Sequence, residues 1–350
     1  MKGRKKMDLK FNLQRFAVTE ITSVDPTLVQ TAYAKDTWQI GLDESFFKKF
    51  TGDSANYIIH MKTELKKEAG DSITIPLLMP LTGSGITGDN QLEGNEEKMI
   101  YRAFNVPIDQ IRNAVRIKGK MEEQKTQLNM RRDAKISLSR WLSNKIDRMI
   151  FTALSTNPSK NRTVYGGDAT SENAIDANDY FTAALIGKAK RLATADEDTM
   201  VKPVQIDGVD TYVMIIDPYQ ARDLMNDPVW REAQTGANIR GKDNPIFSGN
   251  IGMYEGVVVH VSPRILRTAT GSGSGNNRTK VSHALFLGTQ AAVFAVGGEP
   301  EWKEDDFDYG NQVGFSFGRI FGIKKAQFKY DGSNYTDFGC VNVLTASEDD

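Results

Sequence analysis

Between Ser72 and Lys120 the chain carries two strand-forming arms around a polar, glycine-rich tip, and one long amphipathic pattern follows from about Met121 to Leu154. The first arm, Ile73 to Leu81, is rich in aliphatic residues but contains Pro76 and Pro80. Each proline removes a ladder donor, which restricts the arm to a sheet edge or an exposed ribbon. The tip, Thr82 to Gly94, is longer than an ordinary hairpin loop, and loops of that size are usually functional or disordered. Isolated two-stranded ribbons are marginal in water. The ribbon therefore needs a surface to lie on, and we expect that surface to be another subunit. Its candidate contacts are Leu77, Leu78, Met79 and Leu81 on the first arm and Tyr101 and Phe104 on the second. The competing reading packs these residues on the sheet of their own subunit.

The second arm, Met99 to Ile108, continues through Ala114 to Lys118 with partial alternation and leads into the helical pattern. There Leu128, Ala134, Leu138, Trp141, Leu142, Ile146, Met149, Ile150 and Leu154 recur at three- and four-residue steps, and most of the cations fall on other faces. A helix of about 30 residues is on the order of 45 Å long, a spine for other elements to pack on. Upstream, Phe11, Leu13 and Phe16 lack compact local partners and read as an extended arm that docks on the body or crosses to another copy. A short helix is expected after Asp43-Glu44, carrying Phe46, Phe47 and Phe50.

Downstream, the pattern predicts a helix from Asn178 to Ala193, a buried strand from Thr211 to Ile216, and a helix from Tyr219 to Met225 signalled by Asp217-Pro218. Further strands are expected at 256–261, 283–287, 292–296, 313–317, 322–328 and 338–344. The Gly/Ser-rich run around 268–277 reads as a flexible surface loop, and the acidic end, Glu348-Asp349-Asp350, reads as frayed.

Composition narrows the function classes. With 44 Lys+Arg against 45 Asp+Glu, bulk charge supplies no drive toward tight nucleic-acid binding. No stretch approaches the roughly 18 consecutive apolar residues of a spanning helix, and the basic N-terminus lacks the apolar region of a signal peptide. Cys340 is the single cysteine, so no intramolecular disulfide forms. It reads as a small buried hydrophobe. His60, His260 and His283 are far apart, without metal-ligand spacing. Glu301, Glu304, Asp305, Asp306 and Asp308 form an acidic cluster without an EF-hand frame and read as a solvated turn. The residues suggest no catalytic, cofactor or metal site.

Several segments in this order resemble the major capsid protein family of tailed phages that includes the coat protein of coliphage N-four. They are Gly70 to Pro76, Ile216 to Leu224, Asn244 to Gly249, Leu287 to Ala292, and Asp306 to Gly310. The opening Phe11 to Ala17 is similar to a short leader on structural proteins of phages of Gram-positive bacteria. The likeness runs from about Leu28 to Ala346.

The resemblance implies an α+β fold of the Hong Kong 97 capsid type. It would divide the chain into an N-terminal arm over 1–60, an extended hairpin loop over 70–118, and a peripheral domain with the spine helix over 119–175. An axial domain would span 176–296, and β segments over 297–350 would complete both domains. It further implies pentamers and hexamers forming an icosahedral shell in the virion, assembled in the host bacterial cytoplasm around double-stranded DNA held without sequence preference. A separate scaffolding protein, a portal and decoration proteins would be the partners; no membrane is involved. Two other readings stay open: an encapsulin-like bacterial nanocompartment shell, which shares the fold, and a non-capsid binding or enzymatic domain.

Overall fold

The computed structural model describes residues 26–350 apart from 64–70, 80, 82, 84, 122–128, 197–198, 207, 237–249, 274–277, 331–333 and 350. Phe11, Leu13 and Phe16 therefore lie outside the described residues. Two helices build the first layer: α1, Pro26–Asp43, and the 26-residue α2, Met130–Ser155. The α2 helix begins later than the pattern suggests. Asn129 leaves helical geometry and its side chain accepts a bond from the Arg132 backbone N–H, so it caps α2 at Met130, while Lys120 and Met121 are also helical. Lys125 and Leu128 fall among the undescribed residues. From Ala134 through Leu138, Leu142, Ile146 and Ile150 to Leu154, one stripe of α2 is buried.

The α1 helix is the largest element that the sequence reading missed, and it corrects the expected arm over 1–60. Ala34 and Trp38 are buried, as are Phe47 and Phe50 of the 3₁₀ turn Phe46–Phe50, so the chain from Pro26 onward belongs to the body. Gly41 permits the close approach of α1 to α2, because a Cβ there would lie 2.7 Å from Leu142 Cδ2. At the same junction the buried Asp147 of α2 accepts bonds from the Ser45 hydroxyl (2.5 Å) and the Phe46 backbone N–H (3.1 Å), and pairs with Arg264.

Eighteen strands lie among the described residues, and eleven of them frame the sheets. In chain order they are β1 (Ile59–Lys62), β2 (Ser72–Leu78), β3 (Tyr101–Pro107), β4 (Asp109–Arg116), β5 (Val209–Ile216) and β6 (Val257–Val261). Then come β7 (Val281–Leu287), β8 (Ala292–Val296), β9 (Glu301–Phe307), β10 (Gln312–Lys325) and β11 (Cys340–Ala346). The two strands expected at 313–317 and 322–328 are largely one, since β10 runs unbroken for 14 residues through Gly318 and Gly322. It is the hub of a six-stranded sheet, pairing antiparallel with β4, β8 and β9. Gly322 sits where a Cβ would overlap the Pro107 carbonyl at the crossing of β3 into β4.

An eight-stranded mixed sheet forms the other half, with β11, β7, β5 and β6 side by side at its centre. Its strands alternate between two cores. Val213 and Ile215 of β5 face the core shared with α1, α2 and the six-stranded sheet, while Tyr212, Met214 and Ile216 face a second core. Burial on both faces explains why β5 reads as a continuous apolar run. The second core is covered by α3, Ala183–Thr194, and by α4, Pro218–Asn226. The α3 helix starts at Ala183 rather than Asn178, because Thr182 is extended and the Asp227 carboxylate accepts from the Ala183 N–H at 2.8 Å. The α4 start is as expected, with Asp217 and Gln220 forming a reciprocal capping box.

Candidate assembly surface

Among the described residues, strands β2 and β3 pair only with each other, in antiparallel register from Ser72 opposite Pro107 to Leu78 opposite Tyr101. Pro76 is tolerated because a two-stranded ribbon leaves outer edges that need no ladder donor. The second arm does not stay in the ribbon for its full length. Past Pro107 it becomes β4 and enters the six-stranded sheet, so the two-stranded part ends where Ile108 N–H donates to Asp71 O.

Burial falls along the ribbon from root to tip. Ile73, Phe104 and Val106 are buried at the root against Val293 and Ala295 of β8 and against Phe328. Phe104 is 4% exposed and its ring centroid is 5.7 Å from that of Phe328, so this expected contact to a neighbour is a core residue of its own subunit. The reason is register: in the pleat, Phe104 shares a face with Val106, and that face rests on the six-stranded sheet. Leu77 and Met79 are half-buried, Leu77 against the root cluster. Leu78, Leu81 and Tyr101 are exposed, Leu81 at 65%. Leu92, Met99 and Ile100 are also exposed in the outer segment and were missed. Their signal was present: large apolar residues in a stretch made mostly of glycine and of polar and charged residues.

The other chemical signals resolve into structural contacts. Glu304 leaves the acidic cluster to accept two bonds from the Arg131 guanidinium and one from Trp302 Nε1 at 2.7 Å, which ties α2 to β9. Cys340 is buried, and burial pushes its thiol up to about 12, far from a reactive thiolate. His283 is buried in β7, where desolvation lowers its pKa despite Glu172 at 3.5 Å. The acidic end is not frayed through Asp349: that carboxylate pairs with Lys280 and Arg267, and the hydrogen bonds they donate, Lys280 first, hold its pKa well below the usual carboxylate range. Among the described residues no cluster of His, Cys, Asp and Glu is arranged to hold a metal ion, and no helix is long and apolar enough to cross a membrane.

This architecture has close relatives. The family model for phage capsid protein matches residues 16–349. The chain is 30% identical to the major capsid protein of Pseudomonas phage KPP25, over 91% of this chain and 95% of that one. The capsid of Ralstonia phage GP4 superposes with a TM-score of 0.77 at 31% identity, covering 87% of this chain and 92% of that one. The capsid of cyanophage Pam1 reaches 0.74 at 23% identity, covering 88% and 94%. With the family model spanning almost the whole chain and the α+β architecture of Hong Kong 97-type shells in place, this chain belongs to the phage capsid protein family and is a major capsid protein of a tailed phage.

Proposed function

We propose that many copies of this chain assemble as pentamers and hexamers into a closed icosahedral shell around double-stranded phage DNA, with each β2–β3 ribbon lying across a neighbouring subunit. The observation that carries the ribbon's role is its outer half, where Leu78, Leu81, Leu92, Met99, Ile100 and Tyr101 are exposed on a segment that no other described part of the subunit joins in a sheet. Exposed apolar residues grouped in this way mark interaction surfaces. Head-to-tail contacts of this kind close into rings, which capsomers require. Spreading the binding over many individually modest contacts leaves a free subunit soluble and a closed lattice stable.

The role is structural rather than enzymatic. Assembly takes place in the host bacterial cytoplasm, guided by a separate scaffolding protein and a portal, with decoration proteins as further partners. A near-neutral chain suits an interior that contains DNA without gripping any sequence of it. Electron microscopy and sedimentation velocity on the chain co-expressed with its neighbouring genes test the reading. Deleting residues 82–94 is expected to leave a folded subunit that forms no stable shells. Normal particles from the deletion variant would remove the ribbon from assembly, and particles holding a protein cargo without DNA would favour a nanocompartment.

A further inference from the structure

A groove of about 640 Å³ lies between the outer face of α2 and the end of β10. Its floor is apolar, with Met149, Ala153 and Ile323 half-buried, and its rim is cationic, with Lys145, Arg148 and Lys324 exposed. Among the described residues no carboxylate lines it. The fourth cation there, Lys325, is buried and paired with Asp337 at 3.1 Å, so it is already neutralised. Lys145 and Arg148 have no ion-pair partner among the described residues. The groove thus combines unbalanced positive charge with unburied apolar surface.

The ribbon tip is its complement. Between Gly85 and Lys98 it carries Asp89, Glu93, Glu96 and Glu97 against Lys98 alone, and Leu92 stands 62% exposed among them. We propose that the acidic tip of one copy docks in this groove of a second copy, with its carboxylates at the cationic rim and Leu92 on the apolar floor. This rests on the shell reading and names the surface that receives the ribbon. The tip cannot serve its own groove. Lys324 at the rim donates to Asn105 O at the ribbon root, and the ladder from Asn105 to Tyr101 alone carries the tip about 13 Å away, at roughly 3.3 Å per residue. A nucleic-acid backbone would satisfy the rim but leave the floor uncovered, so the occupant with both charges and an apolar side chain is favoured.

Charge reversal in the full-length chain tests the pairing. Lys145→Glu with Arg148→Glu, or Glu93→Lys with Glu96→Lys, is each expected to reduce particle yield about tenfold or more, because like charges then face each other across the contact. The four substitutions together are expected to restore most of the yield, and circular dichroism checks that every variant stays folded. Wild-type yield is also expected to fall as salt screens the contact. Normal assembly of the groove variant would overturn the pairing, as would a folded four-fold variant that fails to recover. So would full particle yield with loss of packaged DNA, which would assign the groove to nucleic acid. If deleting 82–94 blocks assembly while the reversals do not, the shell reading stands and this pairing falls. If the unmodified chain forms no shells with its phage partners, both fall.

Discussion

The β2–β3 ribbon and the β7–β11 pair are both seven-residue antiparallel ladders, yet one projects from the body while the other is its centre. Every residue of β7 and β11 is buried. In the ribbon only Ile73, Phe104 and Val106 are. The two have equivalent backbone pairing, and a net backbone hydrogen bond contributes only about 1 kcal/mol. What separates them is side-chain burial, at roughly 1.5–3 kcal/mol for each large aliphatic or aromatic residue taken out of water. A ladder inside two cores supports itself; one buried only at its root leaves its outer half to be completed by something else.

The sharpest way to break this comparison is to hollow the central ladder. Phe286→Ala in β7 removes a fully buried ring that packs 4.9 Å from Tyr212, and is expected to cost about 3–5 kcal/mol in urea unfolding of the subunit. A loss under about 1 kcal/mol would mean that burial in this sheet does not govern stability.

A smaller effect is expected from His283 in the same ladder. Burial lowers its pKa below the usual 6.5, so the unfolded chain takes up the proton first. Its contribution is intact above that value and is lost progressively as pH falls below it, until the folded imidazole also protonates. Urea midpoints from pH 7.5 down to 5 should fall more steeply in the wild type than in His283→Gln. Parallel curves would show that His283 does not drive this dependence.

The smallest change in subunit stability is expected in the ribbon. Leu78→Ser with Tyr101→Ser alters side chains that are 51% and 61% exposed, and should shift subunit unfolding by no more than about 0.5 kcal/mol. Particle yield should nonetheless drop. A large stability loss would place these residues in a core, the opposite of the assigned role.

Much of the fold was legible because particular residues carry local rules. Asp217-Pro218 announces α4 through a cap and a proline at the first turn, and the apolar run from Tyr212 to Ile216 announces a strand buried on both faces. The α2 stripe was legible from its period. Its first turn was not, since Asn129 is a weak helix breaker that becomes a cap only where its side chain finds the Arg132 N–H. The α1 helix escaped because its buried face is small, with Gly41 serving contact with Leu142 rather than helix propensity. Among the ribbon candidates, Leu78, Leu81 and Tyr101 could not be separated from Phe104 by composition. All are large and apolar, and only the sheet beneath the root distinguishes them.

By itself the sequence determined the periods and the stops: a long amphipathic helix, strands buried on both faces, and an arm whose prolines and glycines exclude it from the interior of a sheet. Those follow from dihedral limits and from the fixed repeats of helix and strand. Tertiary structure decided which face of the ribbon meets its own body, where the second arm leaves it for the sheet, and which charges remain unpaired along α2. Each of those depends on what lies opposite in space, and burial is a property of the pair rather than of either residue.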